Sequence, residues 1–153
     1  NELLSGIINT FAVKVEQNGG AITANLDAND PFIYVDEMHF TNVIFNLLDN
    51  AFKYRREEEP LALCVHTYNQ GETHFCVSIE DNGIGIQKDN LKHIFERFYK
   101  TDLSRRKDKK GTGLGLSITK EIITAHNENI NVTSTEGAGT EFTFTLPLTT
   151  PNI

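Results

Sequence analysis

Two asparagines one helical turn apart, Asn46 and Asn50, stand with Lys53 and Tyr54 in the stretch Val43–Tyr54, VIFNLLDNAFKY. At about 100° per residue these four side chains fall on one edge of a helix, beside its apolar stripe. Asparagine is a poor helix former, because its side chain competes for nearby backbone groups at about half a kcal/mol per residue against Ala. A lone Asn there would read as a solvated face. A row of two neutral oxygen donors, a cation and an aromatic ring suits a metal ion, phosphates and a flat base better than it suits water.

A second constellation is Glu80-Asp81-Asn82-Gly83-Ile84-Gly85-Ile86. Asp81 ends an alternating run, and the glycines after it let the backbone turn sharply and approach a ligand. Asp-Asn-Gly is also ordinary turn chemistry. Ile84 and Ile86 are apolar where a plain turn would be polar, and they could wall a pocket. The third constellation is Lys110-Gly111-Thr112-Gly113-Leu114-Gly115-Leu116-Ser117-Ile118. Glycines before a helix start leave amide groups free for an anion, phosphate above all. A hinge for a lid is the competing reading, and both can hold. Lys100, Arg105, Arg106, Lys107, Lys109 and Lys110 concentrate positive charge in the segment leading to it.

The positioning elements follow from periodicity. Phe40, Val43, Ile44, Leu47, Leu48 and Ala51 recur at spacings of three and four, so the asparagine row belongs to a helix, capped by Asp36. Leu3, Leu4, Ile7, Ile8, Phe11, Ala12 and Val15 predict an earlier amphipathic helix, stopped by Asn18, Gly19 and Gly20. Strands are expected at 22–26, 32–35, 61–68, 72–81, 130–134 and 141–146, with a short helix through Leu91, Ile94, Phe95 and Phe98. Between Tyr99 and Lys110 the chain is polar, basic and aperiodic, and flexibility is expected.

A hairpin loop of Asn69, Gln70 and Gly71 would set Cys64 opposite Cys76 and His66 opposite His74 on one sheet face. Zinc comes to mind, but the spacing matches no usual ligand pattern, and a Cys on a strand is most often a small buried hydrophobe. Two cysteines give no disulfide framework.

The 153 residues fit one domain, 39% hydrophobic and 23% charged, with no apolar run long enough to span a bilayer. A net charge of −7 argues against a nucleic-acid surface. The chain begins with Asn and shows no signal-peptide pattern, so a fragment of something longer is expected. No Gly-Lys pair occurs, which excludes a P-loop. The dinucleotide fingerprint fails because Lys88 and Leu116 stand where its third Gly belongs, and the catalytic His-Arg-Asp loop of eukaryotic-type protein kinases is absent.

Nearly end to end, the sequence resembles the catalytic and ATP-binding domain of bacterial sensor histidine kinases, in the superfamily that also holds gyrase, HSP90 and MutL. Four boxes stand in the family's order: NLLDNAFKY, DNGIGI, IFERFYK and GTGLGLSI. The resemblance implies a two-layer α/β (α+β) sandwich of the Bergerat type. A mixed, mostly antiparallel sheet of about five strands would carry three helices on one face, with ATP beneath a flexible lid at about 96–114 in a single domain over 1–153. It implies ATP and Mg²⁺ as cofactors, with Asn50 as the metal ligand, Asn46 beside the phosphates, Lys53 neutralising them and Tyr54 against the base. Asp81 is similar to the family's adenine-reading carboxylate, Gly83 and Gly85 would let the ring approach, and Ile86 would line the pocket. Gly111, Thr112, Gly113, Leu114 and Gly115 match the end of the lid, Thr140 the polar residue near adenine, and Lys100 and Arg105 the lid cations. The catalytic set would be Asn46, Asn50, Lys53, Lys100 and Arg105.

Two departures sharpen this. Hydrolytic members carry a Glu where this chain has Asn46, and an amide cannot activate water, which fits transfer to a neutral imidazole. None of His39, His66, His74, His93 and His126 sits in the family's phosphoacceptor box. The partners implied are a histidine-bearing dimerisation domain of the same parent and a response regulator, with no nucleic acid and no membrane contact by this domain. The fragment is expected to be monomeric and cytoplasmic, the parent a homodimer anchored in the bacterial inner membrane. A serine kinase of the anti-sigma type and an ATP-gated binding module without chemistry remain alternatives.

Overall fold

The computed structural model describes residues 2–28, 36–56, 58–96, 115–125 and 128–148. In chain order the elements are α1 (Glu2–Gln17), β1 (Ala21–Leu26), α2 (Glu37–Lys53), β2 (Ala62–Gln70), β3 (His74–Asp81), the single turn α3 (Lys88–Leu91), α4 (Gly115–Ala125), β4 (Ile130–Thr135) and β5 (Gly139–Pro147). The five strands form one sheet in the order β1-β2-β3-β5-β4. Only β1 with β2 is parallel; the other pairs are antiparallel. This is the mixed, mostly antiparallel sheet that the resemblance implies.

Alternation along β3 and β5 decides where the helices lie. Phe75, Val77 and Ile79 on β3 and Phe142, Phe144 and Leu146 on β5 are all buried, and their side chains share one face. The register lines them up with β4 in rows across three strands: Val77, Phe144 and Ile130, then Ile79, Phe142 and Val132. On this face α1 packs against β1, α2 against β3 and α4 against β5, with α2 between the other two helices. From α2 the predicted stripe Phe40, Val43, Ile44, Leu47, Leu48 and Ala51 is buried, joined by Phe52. Apart from Ala51, each such side chain contributes roughly 1.5–3 kcal/mol on leaving water.

The helix ends follow the chemistry of their caps. Asp36 Oδ1 accepts from the N–H groups of Met38 (2.9 Å) and His39 (3.1 Å), as expected of a residue that satisfies orphan donors. At the end of α1, Gly19 takes a positive φ of 82° and Gly20 N–H returns to the Val15 carbonyl at 2.9 Å.

One predicted register is corrected. The β2–β3 loop is Gly71 to Thr73, so Cys64 faces Glu80, His66 faces Ser78, Tyr68 faces Cys76 and Gln70 faces His74. Gly71, with φ of 61°, opens the loop instead of closing it. The slip is an even number of residues, so every side chain keeps its predicted face while the Cys–Cys and His–His pairs disappear. Among the described residues no cluster of His, Cys, Asp or Glu could hold a metal ion. Burial pushes the Cys76 thiol up, as befits a packed hydrophobe. The expected strand over 32–35 lies outside the described residues, and no described helix is long and apolar enough to cross a membrane.

Candidate functional site

The two apolar rows of the sheet are followed by a third that is polar. Asp81 pairs with Thr140, and Thr140 pairs with Ser134, so three polar side chains lie side by side on the helix-covered face where the rows reach the end of β3. Thr140 is buried and the other two are half-buried. Burial pushes the Asp81 carboxyl up from its ordinary value to about 6, against the pull of the Gly83 and Thr140 N–H groups, and the neighbouring Glu80 adds to the rise. Gly83 N–H donates to Asp81 Oδ1 at 2.8 Å, which fixes the carboxylate at the lip of the turn.

The loop after Asp81 is clamped on both sides. Toward α2, Ile84 N–H donates to the Tyr54 carbonyl (3.1 Å) and Arg56 Nε donates to the Gly83 carbonyl (3.3 Å). Toward the β4–β5 turn, Ile86 N–H donates to Ser134 Oγ (2.8 Å) and the Ile84 carbonyl accepts from Gly137 N–H (2.8 Å). Asn82 bridges to the strand edge, its Oδ1 accepting from Ala62 N–H at 2.8 Å and its Nδ2 donating to the Pro60 carbonyl at 3.1 Å.

Gly85 shows why the clamp needs glycine. Its φ is 76°, and a Cβ there would lie 2.2 Å from the Thr135 carbonyl oxygen. The sequence reading gave Gly83 and Gly85 to the approach of a ligand ring. The structure adds a constraint of its own, because at Gly83 too a Cβ would meet protein, 2.7 Å from the Tyr54 carbonyl oxygen.

Tyr54 is the C-cap of α2, so the row Asn46, Asn50, Lys53, Tyr54 ends at this same loop. Asn46 is half-buried and reaches α4, its Nδ2 donating to the Gly115 carbonyl and to Thr119 Oγ1, both at 3.4 Å. Thr119 is fully buried and also donates to the Gly115 carbonyl at 3.0 Å. Asn50, one turn on, is half-buried, and its amide has no hydrogen bond among the described residues. Lys53 is exposed and lies 3.1 Å from Asp49, whose other oxygen is 3.8 Å from Lys14.

The described fold thus brings together Asn46 and Gly115 through α2 and α4, and Tyr54, Asp81, Gly83, Gly85, Ile86 and Thr140 through the clamped loop. Lys100, Arg105, Gly111, Thr112, Gly113 and Leu114 lie outside the described residues. Ser134, Asn82, Arg56 and Thr119 carry no assigned role in the sequence reading; Asn82 stands within the DNGIGI box, and Ser134 ends the strand expected at 130–134, three residues before Gly137.

The model of the histidine kinase-, DNA gyrase B-, and HSP90-like ATPase family matches residues 35–150. The chain belongs to this family. Sensor protein RprX of Bacteroides fragilis (strain YCH46) is 52% identical over 148 residues, which cover 97% of this chain and 28% of RprX. Among solved structures, full-length ShkA in complex with AMPPNP aligns with a TM-score of 0.84 at 26% identity, covering 99% of this chain and 30% of ShkA. Histidine kinase ThkA in complex with response regulator protein TrrA aligns with a TM-score of 0.78 at 25% identity, covering 97% of this chain and 40% of that one. The family domain therefore occupies less than a third of the length of RprX. The Ile84–Tyr54 hydrogen bond ties the loop beside the polar third row to the end of α2 that carries the asparagine edge.

Proposed function

We propose that this domain binds Mg-ATP and transfers the γ-phosphoryl group to a histidine on a separate phosphoacceptor and dimerisation domain, as the kinase half of a two-component sensor. The observation that carries the proposal is the joining of two chemistries by one clamped loop: a fixed, half-buried carboxylate at Asp81 and an oxygen-donor row on α2. A primary amine on a purine edge donates to Asp81, and the phosphates run toward Asn46 and Asn50. RprX is a sensor protein and ShkA was solved with AMPPNP, which supports the nucleotide; ThkA with TrrA supports a response regulator as the downstream partner.

The donor set fits Mg²⁺. Its hard cation takes oxygen ligands, retains waters and shares phosphate oxygens, so one neutral amide oxygen with no competing hydrogen bond among the described residues is a suitable protein ligand. Asn50 would hold it, and when bound the ion neutralises charge developing on the transferring phosphoryl group. Asn46 orients phosphate and offers no base, since an amide does not take up a proton near neutral pH. The nucleophile is the acceptor's imidazole, which supplies its own lone pair; the bond from the γ-phosphorus to the bridging oxygen breaks and ADP leaves. Lys53 is held by Asp49 and turns to the triphosphate in competition with it, and Lys100 and Arg105 are assigned to the same charge. We further propose that the parent is a homodimer anchored in the bacterial inner membrane, with this domain on its cytoplasmic side.

Labelled ATP, the domain and a panel of candidate histidine-bearing domains test this. Acid-labile, alkali-stable label on an acceptor is expected, and none on the domain alone. Label on a serine, or ATP turnover to free phosphate at the same rate without acceptor, overturns the assignment.

A further inference from the structure

The third row contains one hydroxyl that never faces the cleft alone. Ser134 Oγ has three partners: Ile86 N–H at 2.8 Å, the Gly139 carbonyl at 2.9 Å and Thr140 Oγ1 at 2.8 Å. Proton counting fixes the direction of all three. A backbone N–H only donates, so Ile86 gives its proton to Ser134. A carbonyl only accepts, so the single Ser134 proton goes to Gly139. Ser134 then has no proton left for Thr140, and Thr140 must donate to Ser134. The buried Thr140 hydroxyl therefore turns its proton toward β4 and offers lone pairs alone to whatever lies beside Asp81, its neighbour across the sheet. Asp81 is likewise acceptor-only while ionised.

We propose that Ser134 is a specificity-determining positioning residue: it sets the polarity of the Thr140 hydroxyl so that the base end of the cleft is acceptor-only. At the 6-position such a surface accepts from a primary amine and meets an oxo group with lone pairs only, so a 6-oxo purine is held there by its N1–H alone and is disfavoured. This inference rests on the reading of the Asp81 end as the base site. The geometry also assigns the Gly-Ala-Gly-Thr turn a purpose. Gly139, at φ of 137°, brings its carbonyl back to Ser134, and a Cβ there would lie 2.0 Å from the Asp81 carbonyl oxygen.

The experiment compares Mg-ATP with Mg-ITP, whose bases differ by a 6-amino group beside an N1 acceptor against a 6-oxo group beside an N1–H donor, in direct titrations of the domain and its variants. Ser134→Ala removes the acceptor that holds the Thr140 proton, so Thr140 becomes free to donate to the oxo group. The ATP-over-ITP preference is expected to fall on the order of tenfold, with ITP itself binding more tightly. Ser134→Thr keeps the hydroxyl and should restore the preference. A change that merely loosened the site would weaken both nucleotides together and leave the ratio unmoved, which overturns the proposal.

Thr140→Val supplies a reading that does not depend on Ser134→Ala folding. With Thr140 donating to Ser134, its loss leaves unchanged the affinity for purine riboside triphosphate, whose ring edge carries acceptors and no N–H; weaker binding of that nucleotide by Thr140→Val would show that Thr140 donates into the cleft, and the proposal fails. Asp81→Asn separates the two layers of the argument. If it collapses the preference while Ser134→Ala does not, the base site stands and the role of Ser134 is wrong. If neither changes the preference, the base is read elsewhere and both readings fall.

Discussion

The N–H of Ile84 donates to the carbonyl of Tyr54 at 3.1 Å, and this bond ties the C-terminal end of α2 to the loop that follows β3. Tyr54 is the residue at which α2 stops hydrogen-bonding to itself, so its carbonyl is one of the orphans that every helix end must place. Placing it on Ile84 couples the asparagine row to Asp81 without any side chain. Arg56 on the Gly83 carbonyl and Gly137 on the Ile84 carbonyl complete the clamp, so the end of α2 and the end of β3 share one framework.

Asn50→Ala is expected to abolish the Mg²⁺ dependence of ATP binding while leaving the fold intact. The side chain is half-buried, and Ala is the better helix former by about 0.5 kcal/mol, so the melting temperature should hold or rise. ATP titrations with and without Mg²⁺, beside a thermal melt, check both halves. Unchanged metal dependence in the folded variant would remove Asn50 from the site.

Asp81 gives a pH dependence with a definite sign. Its carboxyl is raised from 3.8 to about 6 in the folded chain, so between those values the folded state binds more protons than the unfolded state. This group therefore opposes folding above pH 6, and its unfavourable contribution is relieved as pH falls from about 6 toward 3.8. Base binding runs the other way, since a protonated carboxyl loses its acceptor character. Adenosine, which carries no titrating phosphate, should bind about tenfold more weakly one pH unit below the midpoint. Asp81→Asn should bind weakly with no pH step near 6, and should melt higher than the parent at pH 8.

The Asp49–Lys53 pair predicts a gain. Asp49 lies 3.1 Å from Lys53 and 3.8 Å from Lys14, and both pairs are partly exposed, so their loss costs less than about 1 kcal/mol of stability. Asp49→Asn should remove one carboxylate that competes for Lys53 and strengthen ATP binding about threefold at low salt, shrinking as salt screens it. Adenosine should not respond. Addition of Lys53→Met should cancel the gain; a gain that survives it would place Lys53 away from the phosphates.

Gly85→Ala should unfold the clamp. The new methyl meets the Thr135 carbonyl in a backbone conformation of φ 76°, and a loss of roughly 2–4 kcal/mol is expected by denaturant titration. Gly71→Ala is the contrast: φ is 61° but nothing lies within 4 Å, so only the conformational cost of about 1 kcal/mol remains.

Much of this protein is local, and what is local is legible in the sequence. The stripe from Phe40 to Ala51 declares α2 through a period that needs no partner, and Asp36 declares its start because an N-cap satisfies donors only two and three residues away. Alternation in β5 declares which of its side chains face the core. The four ordered boxes led to the family that the match over residues 35–150 then established.

What the tertiary structure alone decided concerns partners far apart in sequence. A hairpin register depends on where a glycine sits inside its loop, and pattern alone cannot tell an even slip from none, so Cys64 came to face Glu80 instead of Cys76. The glycines at 83 and 85 announce a special backbone, but only packing shows that the Tyr54 and Thr135 carbonyls are what they make room for. Ser134 reads as one more alternating polar residue until β4 is laid beside β5. Then the register sets it against Thr140, and Ile86, 48 residues earlier, donates to it across the end of the sheet. A hydroxyl has one proton, and which of three neighbours receives it is a property of their arrangement in space.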